Sequence, residues 1–404
     1  MNKVCIIGCG MIAQSAHIPA YKQYSDDFEI VAVCDAFEAS AKKVSEEFGI
    51  PNYYTDAETM LKEMKPDVVS ICVPNLAHKE FAMMALSHGA NVLCEKPLAF
   101  SYADACEMFA YAKEQGKLLM ACQSIRFLPE RLAAKELIDA GKVGEIYYAE
   151  LSRIRRRGIP TWGRFHLKEF SGGGALVDIG VHGFDSVLWL MGNPKPRSVM
   201  ATMSKIHADE IGSAKSSGAL KGNVDSSKFN PDEMDVESFA GGQVTFENGA
   251  VLSFKISWAA NMREENNIVL AGKECGVDME NKKVYVGAED VYDLEVGPSG
   301  FATEPFFGHF CLIENLAAVL KGEAEPFVKE AEKASGGEVV ASFDITFKDA
   351  DKISKFARSA VKACQQGGIV NGETVTGGFN FRPQGNATRA EVATIMMNFA
   401  KAYK

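Results

Sequence analysis

Two short stretches of the chain hold side chains able to move a proton beside a bound ligand. In SGGGALVDIGVHGFD, residues 171–185, three glycines lead into Asp178, His182 and Asp185. In CEKPLA, residues 94–99, Glu95 and Lys96 stand before a proline. A histidine near its ordinary pKa suits removal of the hydroxyl proton when a carbinol is oxidised. A lysine held in a crevice can donate a proton or anchor charge, although Glu95 and Lys96 taken alone read as a solvated surface pair. Asp178 and His182 are four residues apart, which places both on one face of a helix. Asp185 could equally serve helix packing or solvent. Three readings of the glycine-rich stretch are open here: zinc ligation by Asp178 and His182, a structural helix start, and catalysis. No third ligand or cysteine cluster accompanies the pair, so no metal is expected. The glycines at 172–174 are expected to give a ligand clearance to pass the backbone.

These residues need elements to position them, and the first third of the chain provides a regular series. Apolar runs at KVCII, FEIVAVC, DVVSICV, ANVLC and KLLMA alternate with amphipathic stretches such as ASAKKVSEEF. Strands apolar on both faces, separated by helices, predict a parallel sheet covered on both sides. GCGMIA, residues 8–13, follows the first run and opens a helix. Gly8 permits the tight turn, Gly10 lets the backbone approach a pyrophosphate, and Ala13 allows close packing. Met11 and Ile12 lie at the helix start, where an anion is favoured. Asp35 ends the second run, where an acidic residue accepts hydrogen bonds from an adenosine ribose and repels a 2′-phosphate. NAD is therefore expected over NADP. Two more loops sit at the carboxyl ends of strands, where open α/β sheets bind ligands. They are VPNLAH, with Pro74, Asn75 and His78, and CEKPLA, with Glu95 and Lys96.

At 404 residues the chain is too long for one core. Its hydrophobic fraction of 47% and charged fraction of 24% are those of a soluble globular protein. The net charge of −10 speaks against nonspecific nucleic-acid binding, and no apolar run reaches the roughly 20 residues that span a membrane. The ten cysteines are scattered, without a C-x-x-C pair, as reduced buried thiols are. The chain opens on MNKVCIIGCG, strand and turn, rather than on a signal segment, so a cytoplasmic location is expected.

GCGMIA, Asp35, CEKPLA and SGGGALVDIGVHGFD, in that order, resemble the glucose–fructose oxidoreductase/inositol dehydrogenase (Gfo/Idh/MocA) family over roughly residues 1–330. SIRFLP (124–129), AGKVGEIYYAEL (140–151) and NGAVLSFKISWA (248–259) add to the likeness. The resemblance implies an α/β protein: an N-terminal Rossmann parallel sheet, then an α/β domain with a large open, mainly antiparallel sheet. It implies hydride transfer between a nicotinamide cofactor and a carbinol carbon of a sugar, sugar acid or cyclitol. By motif position Lys96 touches nicotinamide ribose and substrate, while Asp178 and His182 line the substrate side, with His182 the acid/base. Two other readings stand beside it. One is an NAD-dependent glycosidase working by transient oxidation and elimination; the other is a non-catalytic sugar-sensing or cell-wall-associated binding protein. A homo-oligomer, dimer or tetramer, is expected.

On the substrate side, LSRIRRRGIPTWGRF (151–165) carries Arg153, Arg155, Arg156, Arg157 and Arg164. An alternating strand with one solvated basic face accounts for most of them. Trp162 is the preferred sugar contact, with Arg126 and His182 as further substrate candidates and His166 behind them. Residues 206–236 read as a long polar excursion, and 304–322 as an amphipathic helix.

The tail differs. Residues 347–400 resemble one S-layer homology module, through F-x-D, AVxxCxxxGIVNG, Phe381 and Pro383, and TRAE at 388–391. Residues 331–404 carry a net charge of +3 against −13 for the rest, which marks them as a separate unit. The resemblance implies binding of an anionic cell-wall polymer, with Arg389 at the groove. Tail packing or oligomerisation is the alternative. The expected domains are 1–124 (NAD-binding), 125–332 (substrate-binding and oligomerisation) and 333–404 (a small helical tail module).

Overall fold

The computed structural model describes residues 1–206, 229–296 and 306–326, together with two short strands in the tail. The chain forms two compact units, Met1–Ser335 and Gly336–Lys404. In the second unit the described residues are β15 (Glu373–Val375) and β16 (Gly378–Asn380), an antiparallel pair. The TRAE element with Arg389 lies outside the described residues, as does most of the 206–236 excursion.

The first unit begins with the expected parallel sheet. Its strands are β1 (Asn2–Ile7), β2 (Phe28–Cys34), β3 (Asn52–Tyr54), β4 (Val68–Ile71), β5 (Asn91–Cys94) and β6 (Leu119–Ala121). They pair in the order β3-β2-β1-β4-β5-β6. The order reverses between β1 and β4, which opens the crevice in which such sheets bind dinucleotides. Val4, Cys5, Ile6, Val68, Val69 and Leu93 are fully buried, as strands covered on both faces must be. The covering helices include α1 (Ile18–Gln23), α2 (Glu38–Phe48), α3 (Ala57–Met64), α4 (His78–Ser87) and α5 (Tyr102–Glu114). Asp56 caps α3 by accepting from Thr59 N, and Ser101 caps α5 by accepting from Asp104 N.

A second sheet of eight strands follows, mainly antiparallel. Its middle strand is β7 (Ile146–Ile154), which runs parallel to β10 (Val251–Ser257) and antiparallel to β11 (Glu265–Gly272). Beyond β10 lie β9 (Phe239–Phe246) and β8 (Pro196–Ser204); beyond β11 lie β12 (Cys275–Asp278), β13 (Lys283–Val286) and β14 (Asp290–Asp293). Three helices precede or follow β7: α6 (Pro129–Asp139), the short α7 (Lys168–Ser171) and α8 (Val181–Leu190). Leu151, Ala240, Leu252, Ile256 and Trp258 pack with Val187 and Leu190 into one core between sheet and helix. The last described helix, α9 (Phe307–Leu320), is shorter than the pattern at 304–322 and returns to the first sheet. Its Phe310, Leu312, Ile313 and Leu316 join the core that holds Val4, Ile18 and Tyr21. That return brings α9 to the crevice.

Candidate active site

One cavity of about 1160 Å³ runs from the glycine turn of the first sheet to α8 and α9. It exceeds the roughly 300–1,000 Å³ of a single-ligand pocket, leaving room for two ligands side by side. At one end stand Gly10, Met11, Ile12, Pro74 and Asn75. Gly8 has φ +98°, and a side chain there would meet Cys72 O at 2.4 Å. A side chain at Gly10 would meet no protein atom within 4 Å. Gly8 is thus required by the fold, whereas Gly10 keeps open the space a pyrophosphate needs. Asp35 does not line the cavity. Its Oδ2 accepts from Cys9 N at 2.9 Å and its Oδ1 from Phe37 N at 2.9 Å, which fixes the turn and leaves lone pairs for a ribose. His78 is fully buried, with Nδ1 2.7 Å from Pro97 O and Nε2 3.0 Å from Val73 O. It lines the cavity and ties the two ligand loops together. Asn75 Nδ2 donates to Ser171 O at 3.0 Å, joining one loop to the glycine-rich stretch. Open Gly10, the helix start beyond it and Asp35 fit a nicotinamide dinucleotide.

At the other end, residues from different parts of the chain converge. Lys96 Nζ lies 3.2 Å from Asp178 O and 3.5 Å from Asp178 Oδ1. The other carboxylate oxygen of Asp178 accepts from Trp258 Nε1 at 2.9 Å. Asp178 sits in a π-helical turn, Leu176–Gly180, that runs directly into α8, and His182 follows on α8. Such turns frequently mark functional sites. Asp178 and His182 both line the cavity, as the spacing predicts. The imidazole is not near its ordinary pKa, however. Burial, then the Lys96 and Arg153 cations, hold it well below 6.5. His182 is therefore neutral at pH 7 and can accept a proton.

Beneath Lys96, Glu95 is the centre of a buried network rather than half of a surface pair. Its Oε1 lies 2.9 Å from His17 Nε2 and 3.1 Å from His309 Nε2, and its Oε2 accepts from Lys96 N at 3.1 Å. Burial alone would raise the Glu95 pKa, but the bonds from His17 and His309 outweigh it and hold the carboxyl well below the usual range. His17 Nδ1 continues to Ser70 Oγ at 3.3 Å, and Ser70 to Tyr21. His17, Glu95, Cys122 and His309 place their ligand atoms within 4.8 Å of one another. The two histidine contacts are hydrogen-bond lengths, shorter than the roughly 3.3 Å between donors held tetrahedrally at about 2 Å from an ion. The group reads as a brace for the loop that carries Lys96.

Other expected residues fall elsewhere. The glycines at 172–174 do not border the cavity. A side chain at Gly174 would meet Glu237 O at 1.8 Å, and one at Gly172, with φ +81°, would meet the Phe100 ring at 3.0 Å. The clearance serves protein, not ligand. Glu237 completes the arrangement by accepting from Gly174 N and Leu176 N, so it holds the turn that presents Asp178. Arg126 does not line the cavity: its Nε and Nη2 donate to the two Asp185 oxygens at 2.7 Å, and it stacks over Trp189. Asp185 is thereby an ion-pair partner that ties α8 to the segment before α6. His166 packs on Phe229, away from the cavity. Trp162 does line it, edge-on to Phe165, and so do Arg153 and Arg155. His17, His309, Trp258 and Glu237 were not anticipated. Trp258 directly follows β10, and the need of an indole N–H for an acceptor once buried is the one signal the sequence offers.

The reversing parallel sheet, the open glycine turn and the lysine facing Asp178 define the class, an NAD-binding oxidoreductase. Residues 2–122 match the oxidoreductase family model with the NAD-binding Rossmann fold, and residues 132–277 match the GFO/IDH/MocA C-terminal domain. The chain belongs to the Gfo/Idh/MocA oxidoreductase family. It is 36% identical over 285 residues to the D-glucoside 3-dehydrogenase of Escherichia coli (strain K12), covering 70% of this chain and 78% of that protein. Solved structures share the fold. An oxidoreductase domain protein from Kribbella flavida superimposes with a TM-score of 0.66 at 22% identity, over 81% of this chain and 92% of that one. An oxidoreductase from Agrobacterium radiobacter, in complex with NAD+, L-tartaric acid and magnesium, gives 0.64 at 21% identity, over 81% and 90%. Residues 346–393 match the S-layer homology domain. That match overturns the cytoplasmic expectation, because an S-layer homology domain indicates association with the cell wall. Attachment to a wall polymer needs no apolar span, so hydropathy is silent about it. Among the described residues no helix is long and apolar enough to cross a membrane.

Proposed function

We propose that the protein oxidises a secondary hydroxyl of a sugar, sugar acid, cyclitol or glycoside with NAD, and carries the reverse reduction in the same cavity. The observation that carries this reading is the approach of Lys96 Nζ to Asp178, beside His182, on the wall of a cavity that begins at Gly10. When bound, the nicotinamide supplies hydride acceptor and donor chemistry. His182, neutral, takes the hydroxyl proton. Lys96 holds the same oxygen and stabilises negative charge as it develops there. Asp178, itself fixed by Trp258, orients Lys96. The relative named for glucoside oxidation supports a sugar or glycoside as substrate. Asp35 at the end of β2 favours NAD over NADP.

The tail is proposed to hold the enzyme to an anionic wall polymer, with Arg389 as the contact. A homo-oligomer is supported by β8, exposed along nearly its whole length, with Val199 64%, Met200 73% and Met203 60% exposed. The catalytic reading is tested by incubating the protein with NAD+ or NADP+ and a panel of sugars, glycosides and cyclitols. Absorbance of the reduced nicotinamide, with magnetic resonance to locate the new carbonyl, reports the outcome. Substrate-dependent reduction of NAD+ in preference to NADP+ is expected; no reduction across the panel would refute the reading.

A further inference from the structure

Arg153 lies on β7, and two residues on from Leu151 it shares the face that packs on α8. It lines the cavity beside Asp178, Ile179 and His182. Its Nη1 is buried without a hydrogen-bond partner. Among the described residues no carboxylate forms an ion pair with it, while Glu264, Glu265 and Glu280 line a smaller pocket beside it. The carboxylates that share the cavity are engaged elsewhere: Glu95 with two histidines, Asp178 with Trp258 and Lys96, and Glu130 with Arg131 at 3.6 Å. Burial and the nearby Arg131 and Arg155 cations, opposed by the Asp178 carboxylate, push the guanidinium down to about 9, so it still carries its charge at pH 7. A buried guanidinium donor left without a hydrogen-bond partner is costly, and folding alone does not favour keeping one.

The cofactor is a poor source of an acceptor for this donor. Its pyrophosphate is expected at Gly10, on the first sheet rather than on β7, and an oxidised nicotinamide near Lys96 would add positive charge. Lys96, Arg153 and Arg155 face the same space. Arginine presents a planar fork that pairs with a carboxylate through two parallel bonds, which neither a hydroxyl nor a lysine reproduces.

We infer that Arg153 binds a carboxylate on the substrate, so that the cavity takes a sugar acid or an acid-bearing glycoside in preference to the neutral parent. The inference rests on the dehydrogenase reading above, since it names the substrate class of that same site. Matched pairs test it: glucose with glucuronate and galactose with galacturonate, each as free sugar and methyl glycoside. Affinity is measured by calorimetry on protein saturated with NADH, whose binding also shows that each variant is folded. The acid is expected to bind about 100-fold more tightly than its neutral parent, equivalent to ~2.7 kcal/mol. Arg153→Met should abolish that ratio, and Arg153→Lys should retain about tenfold of it. Equal affinity within the pairs, no binding by any acid, or a preference that survives Arg153→Met would overturn the proposal. NAD+ reduction with the same pairs separates it from the wider reading. Tight, Arg153-dependent binding of an acid that is never oxidised would sink the dehydrogenase assignment and leave the carboxylate site. Oxidation of neutral sugars alone would do the reverse.

Discussion

Two glycine-rich stretches of this chain look alike and do opposite things. GCGMIA and SGGGALVDIG each lead into a π-helical turn and then a helix, Ala13–His17 before α1 and Leu176–Gly180 before α8. At Gly10 the missing side chain leaves open space on the cavity. At Gly174 the same absence admits the Glu237 backbone, whose oxygen would stand 1.8 Å from a Cβ. The first stretch leaves room on the cavity and the second is filled by protein, which sets Asp178 and His182 on the cavity wall. A glycine therefore signals close approach without saying what approaches.

Substitution separates the two directly. Gly174→Ala has to displace backbone, and a loss of about 3 kcal/mol or more in urea denaturation is expected. Wild-type stability in that variant would break the contrast. Trp258→Phe keeps the core filled but removes the bond to Asp178, a hydrogen bond to a charged group with a net value of about 1.5–3 kcal/mol. Turnover should fall about tenfold or more with NAD affinity retained, and an unchanged kcat would show that Asp178 does not need this support. Gly10→Ala should leave stability within about 0.5 kcal/mol. Because its side chain intrudes on the cofactor, NAD affinity measured by fluorescence should drop at least about tenfold, ~1.4 kcal/mol. Normal affinity would mean that the open space at Gly10 is not where the pyrophosphate lies.

The smallest effect is a pH dependence. Burial holds His17, His78 and His182 below 6.5 in the folded protein. Groups with depressed folded values contribute stability that is complete above the unfolded pKa and lost as pH falls through the folded ones. The melting temperature should thus be level above about 6.5 and decline gradually below it. The acid limb of kcat/KM should likewise have its midpoint below 6.5, reporting His182. A midpoint at or above that value would place the titrating base elsewhere.

Much of this was legible in the sequence because it is local. The alternation of apolar runs predicts the parallel sheet, and the spacing of Asp178 and His182 puts both on one wall. What escaped is held by distant partners. Glu95 reads as a surface acid until His309 arrives from 214 positions away. Gly174 depends on Glu237, and Asp178 on Trp258, residues that flank β9 and β10 of the second sheet. Arg126 reads as a substrate contact because nothing near it in sequence shows that Asp185 takes its guanidinium. Localisation was misread for a different reason. The indication of wall association comes from the S-layer homology match at 346–393, which hydropathy does not register.

The central claim is that hydride leaves a substrate carbinol inside this cavity. It is tested most directly by supplying NAD+ and a substrate deuterated at the carbinol carbon, then examining the recovered cofactor by mass spectrometry and magnetic resonance. Deuterium at the reactive carbon of the reduced nicotinamide, on one face only, is the predicted result. Reduced cofactor without deuterium, or bound cofactor that no substrate reduces, would contradict the account.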